Sequence, residues 1–341
     1  MKQIWTTRTG TPNEALEMRE SPDPTPKPNE IRIRVAASGI NFADIMARLG
    51  LYPDSPKLPA VLGYEAAGTI DLVGSQTSRF KPGQRVVSIC RFGGYSDVVT
   101  VPEDQVFALP DSLDFEKAAA IPVNYLTAYQ AMVVMGGLKK GDTVLVHSAG
   151  GGVGLAALDL AKYLGATFIG TASAGKHAAL TARGADFLID YQSEDFEKQT
   201  LEFTKGKGVD LILDAVGGDS WEKGLRCLAP GGRLVVFGMS SAATGKRPNR
   251  LGALGKVLSV PWTKFNPIYL MNHNIGVLGV NLGHLWHRSD LVRKWGEDLL
   301  NLYKEGHLHP TVAHSFAFSE AAAAHDYIQD RKNFGKVLLK P

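Results

Sequence analysis

The chain has 341 residues, 44% of them apolar, and a formal net charge of +3. That length holds two ordinary domains with a sizeable core, and the charge is too mild to argue for nucleic-acid binding. Two cysteines, Cys90 and Cys227, supply neither a disulfide framework nor a zinc cluster.

Met1-Lys2-Gln3-Ile4-Trp5 opens no secretory apolar region, and no run of about 18 apolar residues occurs, so a soluble cytoplasmic protein without a membrane span is expected. Residues 1 to 125 carry short β-type runs at Ile31–Val35, Ala67–Val73 and Arg85–Ile89, separated by turn signals such as Lys81-Pro82-Gly83-Gln84. Pro22 to Pro28 is an extended connector, because its prolines block helix. This half reads as a β-rich domain with a barrel-like sheet. From 126 to 284 the pattern changes. Strands predicted at 143–147, 166–171, 186–189, 209–213, 232–238 and 275–280 alternate with helices at 155–164, 175–183, 193–204 and 219–228. Near-continuous apolar strands alternating with helices predict an α/β fold with a doubly wound parallel sheet. The tail adds a helix at 290–304 and a closing strand at Gly335–Leu339, which should return to the first domain. The expected division is 1–125 with 285–341 as one unit and 126–284 as the other.

The run His147-Ser148-Ala149-Gly150-Gly151-Gly152-Val153-Gly154 lies between the strand Thr143–Val146 and the helix Leu155–Leu164. A glycine-rich turn there lets backbone N–H groups and the positive end of a helix dipole approach a dinucleotide pyrophosphate. With the following strand it forms a βαβ unit. Ala149 holds the first glycine position. Gly151 would allow close approach to the pyrophosphate, and Gly154 would let helix and strand pack.

Six landmarks in this order resemble the medium-chain dehydrogenase/reductase family, in its zinc-free quinone oxidoreductase branch. They are Gly39-Ile40-Asn41-Phe42-Ala43-Asp44, Gly50-Leu51-Tyr52-Pro53, Leu62 to Gly68, Lys81 to Val86, Ala149 to Gly154, and Asn333-Phe334-Gly335-Lys336-Val337. The segment ending Asn281-Leu282-Gly283-His284-Leu285 is most similar to the vesicle amine transport protein homologues. The resemblance implies a GroES-like catalytic domain beside a Rossmann domain.

Zinc members of the family place a histidine before the glutamate that here is Glu65; Tyr64 stands there instead, and the cysteines do not supply ligands. No metal is therefore expected. Without a Lewis acid, a quinone or α,β-unsaturated carbonyl is an easier acceptor than a simple ketone, because conjugation spreads the charge. The second strand of the βαβ unit ends Gly170-Thr171-Ala172-Ser173-Ala174-Gly175-Lys176 without an acid for ribose hydroxyls. Ser173 and Lys176 suit a 2′-phosphate, and by resemblance Tyr191 joins them, so NADPH is expected over NADH and over a flavin. Lys176 also reads as a solvated helix residue.

The resemblance brings Asn41, Asp44 and Tyr52 to the nicotinamide cleft. Tyr52 would hydrogen-bond an acceptor oxygen or pack in its turn; Asp44 would face the cleft or only start a helix. It also brings to the cofactor Thr127, taken to begin the joining helix, Gly151, Gly152, Val153 and Gly154, Phe237 and Gly238 at the end of the fifth strand, Asn281, and Lys336, whose other reading is a solvated lysine. Residues 223 to 289 lack acids but carry nine basic residues: Lys223, Arg226, Arg233, Lys246, Arg247, Arg250, Lys256, Lys264 and Arg288. They read as a packed insertion, a pocket lid, a subunit contact or a weak membrane-surface contact. The edge strand Asn274–Val280 implies a homodimer by resemblance. Two rival functions stand beside quinone or enone reduction. One is enoyl-thioester or alkenal reduction, with Arg247 and Arg250 meeting a coenzyme. The other is a low-turnover NADPH-binding membrane-trafficking factor.

Overall fold

The computed structural model describes residues 1–243, 245–258 and 260–341, apart from the side chains of Arg250 and Lys256. The first eight strands are β1 (Lys2–Thr6), β2 (Leu16–Glu20), β3 (Glu30–Ile40), β4 (Ala60–Val61), β5 (Glu65–Val73), β6 (Arg85–Ile89), β7 (Val98–Pro102) and β8 (Val106–Ala108). β3 shows why they form. Ile31, Ile33 and Val35 alternate inward into an apolar cluster with Ile70, Val86 and Val99, while Arg32 and Arg34 point outward to Asp71. That is the period-two pattern of a half-buried strand.

Six more strands follow: β9 (Thr143–Val146), β10 (Thr167–Ala172), β11 (Phe187–Asp190), β12 (Val209–Asp214), β13 (Leu228–Val236) and β14 (Gly276–Gly279). They form one parallel sheet in the order β11-β10-β9-β12-β13-β14. This is the doubly wound order with its switch point between β9 and β12. Val144, Leu145, Ile169, Ile212 and Leu234 are fully buried. The helix Gly152–Leu164 covers one face and stops at Gly165, whose φ of 72° is a left-handed cap.

The tail supplies β15 (Val312–Ala317) and β16 (Lys336–Lys340). β16 runs antiparallel to β3, pairing Val337 with Ile40, and completes the sheet β15-β16-β3-β5-β6-β8, with β7 also on β3. The expected return to the first sheet is therefore found. The two sheets meet around Asp159 of the helix Gly152–Leu164. Its carboxylate accepts from the Tyr125 hydroxyl at 2.6 Å, Arg183 Nη2 at 2.7 Å and the His309 backbone N–H at 2.7 Å.

Three boundaries differ in ways that matter. The fifth strand of the parallel sheet ends at Val236, so Phe237 and Gly238 lie just beyond it. Thr127 sits inside the helix Pro122–Tyr129 rather than at its start; Pro122 opens that helix, where a missing N–H costs nothing. The long β13 begins at Leu228, so helix Asp219–Cys227 runs directly into it.

The basic stretch is neutralised by acids elsewhere. Lys223 pairs with Asp195, Arg226 with Glu197 and Glu222, Arg233 with Asp142, Lys246 with Asp326 and Asp330, Arg247 with Glu14, Lys264 with Glu222 and Arg288 with Asp290. Arg250 and Lys256 fall outside the described side chains. The helices Arg250–Leu258 and Pro267–His273 instead present an apolar face, with Leu251 84% exposed and Leu258, Trp262, Ile268 and Met271 also open to solvent. No described helix is long and apolar enough to cross a membrane.

Candidate nucleotide and acceptor site

The glycine turn lies at the carboxyl edge of β9. The His147 N–H bonds Leu213 O across the switch point, and the Ala149 N–H bonds Thr171 O on the other side. Gly151 caps the helix, leaving the N–H groups of Gly152, Val153 and Gly154 as first-turn donors that no helix carbonyl reaches. A Cβ on Gly154 would stand 2.5 Å from Ala149 O, so only glycine permits this strand–helix approach. Ala149 replaces the first glycine without strain: a Cβ on the facing Gly170 would lie 2.8 Å from the Ala149 Cβ, so the missing side chain has moved to the neighbouring strand.

Beside the turn stands a cationic cluster. Ser173 directly follows β10 and stands at the cap position of the short turn Ala174–Lys176. Lys176 Nζ donates to Asn333 O at 2.6 Å, and its stem lies over Gly150. Desolvation, then the nearby Arg331 guanidinium, lower the Lys176 pKa. Arg331 donates to the Tyr191 hydroxyl at 3.1 Å and lies 5.5 Å over the Tyr191 ring. Two cations held together by neutral partners leave uncompensated positive charge, which favours a bound anion. Arg331 also has a φ of 58°, a left-handed conformation that arginine rarely adopts. Sequence reasoning missed Arg331 and Asn333 as part of this cluster.

The floor between the two sheets is one buried network. Lys336, 2% exposed, is ion-paired with Glu65 and donates to Asn41 Oδ1 at 2.6 Å. Asn41 Nδ2 donates to Glu65 Oε1 at 3.0 Å, and Glu65 Oε2 accepts from the Val123 N–H at 2.8 Å. Lys336 is thus not a solvated lysine. Asp44 is fully buried as the third residue of the helix Phe42–Arg48, and its carboxylate accepts from the Asn41 N–H at 2.8 Å and the Gly63 N–H at 3.1 Å. Burial raises its pKa to about 6 against these hydrogen bonds. Asp44 holds two loops together and does not line the cavity described next. Thr127 is buried in its helix, and Gly238 packs on Ala215.

A cavity of about 340 Å³ is lined by Tyr52, Tyr64, Phe92, Arg91, His284 and Trp286 among others. Tyr52 reaches it from the turn after the helix Phe42–Arg48, and burial raises its hydroxyl pKa. Asp54 accepts from His284 Nε2 at 2.8 Å and from Asn281 Nδ2 at 3.3 Å, which ties the Tyr52 turn to the segment after β14. Asn281 also caps the turn Leu282–His284 through the Gly283 N–H. The contribution of Tyr64, Arg91 and Trp286 to one cavity had no local sequence signal, because they come from three separate loops.

No three of His, Cys, Asp and Glu stand close enough to hold a metal ion among the described residues. The Cys90 thiol is pushed up by burial and contacts Gly63 O at 3.6 Å, and Cys227 lies apart, in the core of the other sheet.

Residues 27–111 match the alcohol dehydrogenase GroES-like domain family, and residues 183–339 match the zinc-binding dehydrogenase family. The chain is 40% identical over 329 residues to the rat synaptic vesicle membrane protein VAT-1 homolog, covering 96% of this chain and 80% of that one. It is 37% identical over 331 residues to a Pseudomonas aeruginosa quinone oxidoreductase, covering 96% of each. Among solved structures, Escherichia coli quinone oxidoreductase complexed with NADPH superposes with a TM-score of 0.87 at 33% identity over the whole of both chains.

Proposed function

This chain belongs to the medium-chain dehydrogenase/reductase family, and on that premise we propose that it is an NADPH-dependent oxidoreductase that reduces quinones or other conjugated carbonyls without zinc. One observation carries the reading: the glycine turn adjoins the Lys176–Arg331–Tyr191 cluster, so pyrophosphate donors and a dianion site lie side by side. The Escherichia coli relative was solved with NADPH.

In this reading the N–H groups of Gly152, Val153 and Gly154 hold the pyrophosphate, with Gly151 giving the approach. Ser173, Lys176, Tyr191 and Arg331 hold the 2′-phosphate through charge-assisted hydrogen bonds. Asn41 and Lys336 orient the ribose and nicotinamide from below, while Thr127, Phe237, Gly238 and Asn281 wall the nicotinamide. When bound, the nicotinamide supplies a hydride. Tyr52 donates a hydrogen bond to the acceptor oxygen as charge collects there. Asp44 acts as a structural cap. Residues 1–125 with 285–341 are taken as the catalytic unit and 126–284 as the nucleotide unit, since β15 and β16 share the sheet of β3.

The donors present do not suit zinc. Among the described residues no three of His, Cys, Asp and Glu come together to hold an ion, and a catalytic zinc takes about three protein ligands. Glu65 already carries the Lys336 ammonium. A homodimer through β14 is supported by its position at the sheet edge and by the exposed apolar face beside it; a monomer in sedimentation equilibrium would overturn it. A membrane-surface contact is the lesser partner reading, because seven of the nine basic residues named above are held in ion pairs within the chain.

The test is NADPH oxidation, followed by nicotinamide absorbance, against a panel of quinones, enals and enoyl thioesters. Turnover with quinones or enals is expected. Preference for the thioesters would shift the substrate to an enoyl carrier, and tight NADPH binding without turnover on any acceptor would favour a trafficking role. Tyr52→Phe should lower turnover roughly 3–10-fold; unchanged turnover removes Tyr52 from the chemistry.

A further inference from the structure

Tyr64 stands between Gly63 and Glu65 at the start of β5. It is 7% exposed, and its ring rests against Phe92 with centroids 5.0 Å apart. Phe92 has a φ of 69°, an unusual backbone for a bulky residue, and this conformation holds its ring against Tyr64. The Tyr64 hydroxyl is buried and makes no hydrogen bond of ordinary geometry among the described residues. A buried hydroxyl left unpaired is costly, so its persistence calls for a partner in the working state. Its polar neighbour is the hydroxyl of Tyr52, and both side chains line the same cavity.

We propose that Tyr64 is a positioning residue: it donates its hydrogen bond to the Tyr52 oxygen and thereby turns the Tyr52 hydrogen toward the acceptor oxygen in the cavity. This rests on the reading of Tyr52 as the acceptor-facing donor. The order of the pair follows from depth. The Tyr64 hydroxyl is closed off from solvent and has no other bonded partner among the described residues, so the Tyr52 oxygen is what its hydrogen can be donated to, and Tyr64 acts as the donor. Tyr52 sits farther out, and a Cβ on Gly283 would lie 3.7 Å from its hydroxyl, so that hydroxyl faces the segment closing the cavity. A donated hydrogen bond polarises the Tyr52 O–H and strengthens it as a donor, as in any chain of hydroxyls. No proton leaves Tyr64; the acceptor oxygen takes its proton from solvent after reduction.

The test is a double-mutant cycle on Tyr52→Phe and Tyr64→Phe, read two ways. The first readout is binding of 4-nitrophenol in the presence of NADP⁺. Its phenolate band reports an oxyanion held in the cavity and needs no turnover. Each single variant should bind phenolate about tenfold more weakly, and the double variant no more weakly than Tyr52→Phe alone. The second readout is the thermal midpoint, which in Tyr64→Phe should be unchanged or higher, because an unpaired hydroxyl is removed. Losses that multiply in the double variant overturn the proposal, since Tyr64 then acts independently of Tyr52. Unchanged phenolate binding in Tyr64→Phe also overturns it, and a lowered midpoint with it would assign the hydroxyl a purely structural role. A wild type that oxidises NADPH with none of the acceptors sinks the enzyme reading, yet the phenolate cycle still decides whether the two tyrosines are coupled.

Discussion

The nucleotide end and the acceptor end of the cleft are built on different principles. The nucleotide end is mostly backbone: N–H groups of one glycine turn, held by strand and helix neighbours close in sequence, with Lys176 and Tyr191 on the next two connections. The acceptor end is all side chain, gathered from Tyr52, Tyr64, Phe92 and His284–Trp286 on loops of both units. Backbone recognition tolerates almost any sequence that keeps the glycines. Side-chain recognition changes with each loop substitution. Under the proposed function, the electron donor is held by backbone geometry and the acceptor by side chains on loops.

The sharpest way to break this contrast is Gly154→Ala. The new Cβ meets backbone at Ala149 O, which cannot yield as a side chain would, so the helix must move off β9. NADPH affinity should fall more than roughly 100-fold by fluorescence titration, because the pyrophosphate donors move together. Unchanged affinity would show that the turn is not the anchor. Next is Arg331→Ala, the member of the proposed phosphate cluster drawn from a distant segment. The Michaelis constant for NADPH should rise roughly tenfold, as for a lost charge-assisted hydrogen bond, while that for NADH stays put; Lys176→Ala should behave alike. Equal losses with both cofactors would mean that the cluster only braces the turn. The smallest effect lies under the acceptor end. The folded pKa of Asp44 is about 6 against 3.8 for a free side chain. The folded protein therefore keeps a proton that the unfolded chain has released. This contribution is fully present below pH 3.8 and is lost as pH rises through about 6. Urea midpoints of wild type, compared with Asp44→Asn, should converge downward over that window and run parallel above it; parallel curves throughout would place the carboxylate in an unshifted state.

The same contrast explains what was legible in the sequence. The parallel sheet was readable because β9, β10 and β12 are buried on both faces and appear as unbroken apolar runs. β2, exposed along nearly its whole length with Glu17, Arg19 and Glu20, and the three-residue β8 gave no such signal. Lys336 looked like a polar flank of the run Val337-Leu338-Leu339; only the pairing of β16 with β3 brings it to Glu65. Arg331 escaped notice because its partner Tyr191 lies in the other unit, and no local period connects them. Tyr64 was legible as a departure from a metal-binding pattern, whereas its neighbour Tyr52 is set by tertiary packing.

The bridge between Gly151 and Gly335, with the Gly335 N–H on Gly150 O at 3.0 Å, has a consequence for how the protein is made. A nascent chain that has emerged through β14 can close its parallel sheet, but the nucleotide turn still lacks the strand that braces it and the arginine beside it. Full affinity for the dinucleotide arises only after the segment around residues 331–336 has docked. A dinucleotide bound at the turn would then stabilise that docked state by mass action, favouring molecules whose distant ends have met.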